Sequence, residues 1–291
     1  TLRFGLWAYD FLSRDKILPR RRWLPPEATR SHEPGLAASG LRGSGVYHDA
    51  LTNDARLVLA VVRSAAEAGA VVANYSESIE LLRKAGRVSG ARVRDGMSEE
   101  RFEIDAAVVV NATGVWLDRL RENRAIPTLR PTKGIHIFLP RERVGNREAV
   151  VISATSDGRM MFVLPWGTLT LVGTTDTDSP DDPDHVLPTA AEVAYLLDAV
   201  IEAFPSARVG PTDVVSTYAG LRPLIREDGP SEESDISREH EIFEDTDGLM
   251  SVAGGKLTTH RAMAEEVVDR VCDRLGRRHA CRTRETGFGP Q

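Results

Sequence analysis

The 291 residues carry 37 Lys and Arg against 43 Asp and Glu, a formal net charge of −6, and 41% of them are apolar. This composition supports a sizeable core in about two domains and excludes disordered, collagen-like and coiled-coil chains. The acidic balance disfavours nucleic-acid binding, which requires a basic surface. Two late cysteines and seven scattered histidines predict neither a disulfide framework nor a metal site, and the free thiols suit a reducing cytoplasm.

The first half of the chain contains local signals for several elements. The first 53 residues are rich in Pro and Gly and are expected to be an irregular segment that wraps a surface or lines a site. Asn53 precedes a stretch of helical apolar spacing, so a capped helix is predicted to begin at Asp54. Residues 70–75 (AVVANY) are expected to form a buried strand. Alternating stretches between residues 78 and 104 indicate a small antiparallel meander.

An apolar run at 106–110 ends in Asn-Ala-Thr-Gly at 111–114 and leads into a predicted helix. This order is typical of a parallel strand buried on both faces. Its carboxyl end opens at Gly114, where open α/β sheets place ligands, although such a glycine serves helix packing equally well. Residues 249–275 repeat the same order of strand, glycine turn and helix.

Between these two α/β segments lie short strand-like stretches around one helix at 190–204, which indicate a largely antiparallel domain. The acidic, Ser-rich stretch 227–241 is expected to be a solvated loop. The predicted fold class is therefore α/β (α+β), a partial Rossmann-like domain with an inserted antiparallel β domain. The predicted divisions are an irregular segment at 1–53, a nucleotide-binding domain at 54–125 and 246–278, the inserted domain at 126–245, and a linker at 279–291.

The segment GGKLTT (254–259) is the most informative of the chain. Two glycines after an apolar strand let the backbone approach a ligand, and the first amides of the next helix attract an anionic or electron-rich group. Lys256 adds a positive charge there. The segment is not a Walker A loop, because Leu257 stands where Ser or Thr is required. The alternative is a strand–helix turn with a solvated lysine.

Arg222 and His136 are the other candidates for chemistry. Because Pro223 cannot donate to a β-ladder, the preceding strand should end at Arg222 and place the guanidinium at its rim. There it suits a phosphate or carboxylate, or pairs with the acidic loop. His136 alternates with Ile135 and Ile137 and so faces away from them. It is either a satisfied core or interface side chain or a general acid or base in a cleft.

Eight short motifs follow one another along the chain: YDFL (9–12), the stretch 47–57, NATG (111–114), KGIHIFLP (133–140), FVLPW (162–166), GTTD (173–176), YAGLRPL (218–224) and GGKLTTHR (254–261). In this order they resemble the FAD-dependent glycerol-3-phosphate dehydrogenase family, within the D-amino-acid-oxidase-like flavoproteins. No GxGxxG occurs in the 291 residues. The sequence is therefore expected to be a fragment that lacks the family's N-terminal glycine-rich FAD-binding segment and its C-terminal helical domain.

The resemblance implies oxidation of sn-glycerol 3-phosphate to dihydroxyacetone phosphate, with hydride transfer from C2 to FAD and onward transfer of the electrons to a quinone or oxygen. It implies that Lys256 lies beside the flavin and the substrate, and that Arg222 binds the phosphate or the reacting oxygen. It makes His136 a candidate base for the C2 hydroxyl. The implied FAD contacts are Val71, Ala112, Thr113, Gly114, Gly255, Lys256, Leu257 and Thr258.

Two other functions stay open on the sequence alone. One is an FAD-dependent oxidase or dehydrogenase of an amino acid or 2-hydroxy acid, for which the phosphate-binding charges of Arg222 and Lys256 would not both be needed. The other is a non-catalytic module that binds an anion or a partner, which the absence of the glycine-rich turn favours. The expected location is cytoplasmic, with peripheral association at the inner face of the cell membrane where a quinone accepts the electrons.

Overall fold

The computed structural model describes residues 2–12, 19–121, 126–153, 157–226 and 239–287. None of the helices within these ranges is long and apolar enough to span a membrane. The helices are α1 (Leu2–Leu12), α2 (Pro26–His32), α3 (Asp54–Glu67), α4 (Leu117–Leu120), α5 (Arg141–Val144), α6 (Ala190–Ala203) and α7 (His260–Arg274).

The strands of the same ranges are β1 (Arg22–Leu24), β2 (Ser44–Val46), β3 (Ser76–Lys84), β4 (Arg87–Asp95), β5 (Arg101–Asp105), β6 (Val110–Asn111), β7 (Thr132–Pro140), β8 (Val150–Ser153), β9 (Met160–Trp166), β10 (Leu169–Gly173), β11 (Thr177–Asp178), β12 (Ser216–Arg222), β13 (His240–Glu244) and β14 (Met250–Gly254). The chain divides into two compact units, each made of two segments. The first comprises Thr1–Leu51 and Lys133–Leu221, and the second comprises Thr52–Thr132 and Arg222–Gln291.

The first unit is built on a six-stranded sheet in the order β11-β7-β10-β9-β8, with β12 also paired to β7. One face of this sheet packs against α6 and forms the core, which includes Ile137, Val163 and Val172 from the strands and Leu196 and Val200 from the helix. The helix α6 agrees with the predicted helix at 190–204. It begins at a capping box, in which the Thr189 hydroxyl and the Glu192 carboxylate each accept a backbone N–H.

The expectation of an irregular N-terminal segment is wrong for a large part of it. The helices α1 and α2 lie there, and β1 and β2 pair antiparallel, with Arg22 opposite Val46. Pro26 is the first residue of α2, where a missing N–H costs nothing and the fixed φ favours the helix. The Pro signal therefore marks a helix start in this segment.

The second unit contains two three-stranded sheets. In one, β3, β4 and β5 form the predicted antiparallel meander. The other has the order β13-β14-β6, in which β14 runs parallel to β6 and antiparallel to β13. The helix α3 begins at Asp54 as predicted, and the Asn53 side chain accepts the N–H of Arg56.

Three strand and loop predictions for the second unit need correction. Residues 70–75 form no strand and are exposed, because no described strand pairs with them. Only Val110 and Asn111 of the predicted NATG strand are in a ladder. The strand is not buried on both faces, because Asn111 is buried whereas Val110, which points to the opposite face, is exposed. Of the predicted acidic loop, 227–238 lie outside the described residues, whereas its end at 240–241 belongs to β13.

Candidate active site

His136 lies in the middle of β7, on the face of the sheet opposite to α6. The alternation along β7 buries Ile135, Ile137 and Leu139 completely, and all three belong to the core that α6 closes. His136 and Phe138 are only partly buried and point to the other face. The structure therefore agrees with the predicted orientation of His136 away from the two isoleucines.

Gly173, the first residue of the GTTD motif, is directly opposite His136 in the antiparallel pair of β7 and β10. A Cβ atom added to Gly173 would lie 2.2 Å from the imidazole Cδ2 atom. The absence of a side chain at this position therefore gives the imidazole its room. In the same motif, the Thr175 hydroxyl accepts the backbone N–H of Ile135 at 3.0 Å, which fixes the strand immediately before His136.

A further residue at this site, not expected from the sequence, is Tyr218 on β12. Its ring stacks on the His136 imidazole with a centroid distance of 4.7 Å and an interplanar angle of 19°. Strand alternation places Tyr218 on the same face as Arg222, four residues later, so the sequence held a partial signal. The pairing of β12 with β7, which brings the ring to His136, had no sequence signal.

Lys133, at the start of the same motif as His136, is buried and ion-paired. Its Nζ lies 3.1 Å from a Glu192 carboxylate oxygen and 3.3 Å from one of Asp181, and it donates to the carbonyl of Leu187. Burial alone would lower the pKa of Lys133, but the hydrogen bonds that its ammonium donates to the two carboxylates outweigh burial and hold this pKa above its usual value. This cluster ties the segment after β11 and the start of α6 to β7.

Lys133→Met is expected to lower the free energy of unfolding by about 1.5–3 kcal/mol, the value of a hydrogen bond to a charged group. Burial alone would raise the pKa of Glu192, but the hydrogen bonds that Thr189 and Lys133 donate to its carboxylate outweigh burial, so this pKa is lowered. The stabilisation is therefore complete between pH 4.5 and pH 10.5, which are the ordinary pKa values of a glutamate and a lysine side chain. It is lost as the pH falls through the lowered pKa of Glu192 or rises through the raised pKa of Lys133.

Urea unfolding at pH 7 and at pH 3 measures both parts of this prediction. Lys84→Met is the matched control, because Lys84 pairs with Asp105 while both side chains are more than 70% exposed. The control should lose far less stability than Lys133→Met, because solvent and salt screen an exposed pair. An equal loss for the two variants, or a Lys133→Met effect that persists in full at pH 3, would contradict the proposed cluster.

In the second unit, the two predicted cofactor turns follow neighbouring parallel strands. Met250 pairs with Val110 and Ser251 with Asn111, so the carboxyl ends of β6 and β14 open at the same edge of the sheet. The NATG turn leaves this edge from β6 and the GGKLTT turn leaves it from β14. Such an edge is where open α/β sheets bind ligands, so these residues fit a nucleotide-type group.

The NATG turn is held by its own side chains. The buried Asn111 amide donates to the carbonyl of Leu117 at 3.0 Å, and the Thr113 hydroxyl donates to the Asn111 side-chain oxygen at 2.7 Å. Gly114 has a φ of +59°, and a Cβ added there would meet nothing within 4 Å. Ala112 is exposed, while Thr113 and Gly114 are half-buried. The backbone of this turn therefore faces open space that a ligand could fill.

The two glycines of the GGKLTT turn are required by packing within the second unit. Gly254 and Gly255 have φ values of +70° and +80°, and added Cβ atoms would clash with the carbonyl of Glu239 and with the Met263 side chain. Internal packing thus explains these glycines without a ligand. The side chains that follow, Lys256, Leu257 and Thr258, are exposed. They are consequently available to a bound group.

The remaining predicted site residues, Val71, Arg222 and His136, lie outside these two turns. Val71 is 98% exposed and lies in the segment that forms no strand, so no β-pairing brings it to the sheet edge. Arg222 is the last residue of β12, as the following Pro223 predicted, and is half-buried. His136 belongs to the first unit, and Arg222 and Lys256 belong to the second.

Residues 5–270 match the protein family described as "FAD dependent oxidoreductase". The chain belongs to this family. It is 39% identical to the aerobic glycerol-3-phosphate dehydrogenase of Staphylococcus haemolyticus over 98% of this chain and 53% of that protein. The identity to the Bacillus subtilis protein of the same name is also 39%, over 100% of this chain and 52% of that protein. The chain thus spans about half the length of these curated relatives.

Two solved structures share the fold of this chain. The glycerol-3-phosphate dehydrogenase from Bacillus halodurans, complexed with FAD, is 39% identical and has a TM-score of 0.83 over 90% of this chain and 51% of that one. Glycine oxidase from Geobacillus kaustophilus, at 19% identity, has a TM-score of 0.62 over 100% of this chain and 71% of that one. The second likeness concerns the fold alone. The predicted α/β class with an antiparallel sheet is confirmed.

Proposed function

We propose that the chain is the substrate-facing part of an FAD-dependent glycerol-3-phosphate dehydrogenase, which oxidises sn-glycerol 3-phosphate to dihydroxyacetone phosphate. The observation that carries this proposal is the 39% identity, with a TM-score of 0.83, to the FAD-complexed dehydrogenase from Bacillus halodurans. FAD, when bound, supplies the acceptor for the hydride that leaves C2 of the substrate. The electrons then pass to a quinone or to oxygen, and a quinone would require peripheral contact with the inner face of the membrane.

The residues proposed to hold FAD lie mainly in the two turns at the sheet edge of the second unit. They are Ala112, Thr113 and Gly114 of the NATG turn and Gly255, Lys256, Leu257 and Thr258 of the GGKLTT turn, with Val71 from the preceding segment. The adjacent carboxyl ends of β6 and β14 support this assignment. The positive charge of Lys256 would stabilise negative charge on the group held there.

Three side chains are proposed for the reaction. Arg222 would bind the phosphate or the reacting oxygen through its planar guanidinium. Lys256 would add a second positive charge, and His136 would take the proton of the C2 hydroxyl. The imidazole Nδ1 atom is buried, so Nε2 is the atom that would accept this proton. The alcohol oxygen would then form the carbonyl of the product as the hydride leaves C2.

A visible absorption spectrum with FAD tests the proposal. The 291-residue chain alone is expected to bind FAD weakly and to turn over little, because it contains no GxGxxG for the pyrophosphate. A chimera in which this chain replaces the matching half of the Bacillus halodurans enzyme supplies the other half of that enzyme. Its flavin band should bleach anaerobically with glycerol 3-phosphate and not with glycerol.

The native Bacillus halodurans enzyme is the control for flavin content, and glycine and lactate are the control substrates. Bleaching by glycine or lactate instead of glycerol 3-phosphate would transfer the proposal to an amino acid or 2-hydroxy acid. A chimera that binds FAD normally and is reduced by none of these compounds would contradict catalysis by this chain. Turnover by the 291 residues alone at the rate of the native enzyme would contradict the expectation for the isolated chain.

A further inference from the structure

The two faces of the six-stranded sheet in the first unit differ in what covers them. The face with Ile137, Val163 and Val172 is closed by α6. On the other face, Phe162 lies opposite Gly173 on β10, and Gly173 lies opposite His136 on β7. Phe162 and Tyr218 on this face are both 46% exposed. His136 therefore lies in a row of side chains on an open, largely aromatic surface.

Near His136, the strand β7 has a neighbouring stretch of chain along each of its two edges. The strand β10 pairs with β7 over residues 136–140, and the N–H of Val215, just before β12, donates to the carbonyl of Phe138. Because β10 and the chain at Val215 both contact β7 at Phe138, they lie along its two opposite edges. Gly173 leaves room on one side of the imidazole, and the ring of Tyr218 stacks on it from the other.

We propose that Tyr218 is a positioning residue for His136. Stacked at 4.7 Å with an interplanar angle of 19°, its ring fixes the plane of the imidazole and hence the direction in which Nε2 points. Phe138 supports the Tyr218 ring from β7, with ring centroids 6.0 Å apart. Offset-stacked aromatic rings attract each other beyond the area they bury, so the contact favours one imidazole orientation over its alternatives. The catalytic meaning of this contact rests on the proposed function of His136 as the base.

The stack itself can be measured without flavin or substrate, by NMR of the 291-residue chain with ¹³C-labelled histidine. His136→Gln identifies the His136 signals among the seven histidines. In the wild-type chain, the imidazole C–H protons should be displaced upfield by the ring current of Tyr218. Tyr218→Leu should abolish this displacement and Tyr218→Phe should retain it, because only the ring is required. Phe162→Leu is the matched control on the same face and should leave the displacement unchanged.

The chimera described above tests the consequence for the reaction. Tyr218→Leu should lower kcat about tenfold to a hundredfold, the cost of a small misplacement of a catalytic group, with KM nearly unchanged. Tyr218→Phe should restore kcat. Unchanged His136 signals in Tyr218→Leu, a Tyr218→Phe variant as poor as Tyr218→Leu, or a normal kcat in Tyr218→Leu would each overturn the role of Tyr218. A chimera with Tyr218 in place that glycerol 3-phosphate cannot reduce overturns the proposed function instead.

Discussion

Asp245→Asn is expected to lower the free energy of unfolding of the second unit by about 3–5 kcal/mol, the cost of leaving a buried charge without its partner. The side chain of Arg121 is fully buried. Its Nε and one terminal nitrogen donate to the two Asp245 oxygens at 2.9 and 2.7 Å, and its other terminal nitrogen donates to Thr128 at 2.8 Å. The guanidinium also lies 4.6 Å from the centre of the Phe243 ring. Asparagine keeps the shape of the aspartate but removes the charge that balances this guanidinium.

The ion pair matters for function because of the elements that it joins. Arg121 follows α4, which leads away from the NATG turn, and Asp245 follows β13, which pairs with β14 before the GGKLTT turn. The same link therefore holds the supports of both proposed cofactor turns. Weakening it should loosen the two turns together, before the first unit is affected.

Hydrogen exchange resolves this prediction within one molecule. Amides of β13 and β14 in Asp245→Asn should exchange roughly two to more than three orders of magnitude faster, while β7 of the first unit serves as the internal reference. Asp105→Asn is the matched control, because Asp105 pairs with Lys84 on an exposed surface. It should change exchange by less than about tenfold. Similar rates in the two variants would show that the Arg121–Asp245 pair contributes no more than a surface pair.

Local signals in the sequence predicted several parts of this fold because their physical cause lies within a few residues. Asn53 caps α3, and the alternation in β7 fixes which way His136 faces. The NATG and GGKLTT turns each have a strand before them and a helix after them. Their position at one sheet edge comes from the parallel pairing of β14 with β6, in which Met250 lies opposite Val110.

The features that the sequence did not predict depend on contacts between distant residues. Arg121 and Asp245 are 124 residues apart, and β13 becomes a strand because β14 is beside it. The stack of Tyr218 on His136 depends on the order of strands in the sheet, which alternation within one strand does not determine. Residues 70–75 have the composition of a buried strand, yet composition cannot supply the neighbouring strand that burial requires.

His136→Gln is expected to lower kcat of the chimera by about 10²- to 10⁴-fold, the usual contribution of a general base. Glutamine keeps a polar side chain of similar reach but cannot accept the proton of the C2 hydroxyl near neutral pH. The limb of the pH–kcat/KM profile that reports deprotonation of the base should also disappear. The sheet should keep its stability, because the core face of β7 is formed by Ile135, Ile137 and Leu139 and not by His136.

His185→Gln is the control for this substitution, because His185 lies in the first unit with its side chain 83% exposed. The His185→Gln chimera should have the same kcat, KM and pH profile as the chimera without this substitution. If His136→Gln raised KM at an unchanged kcat, His136 would be a binding group, since uniform binding affects KM alone. Arg222 would then be the better candidate for handling the alcohol, because its guanidinium can stabilise an oxygen that loses its proton. A loss of kcat with KM preserved is therefore the result that assigns the proton to His136.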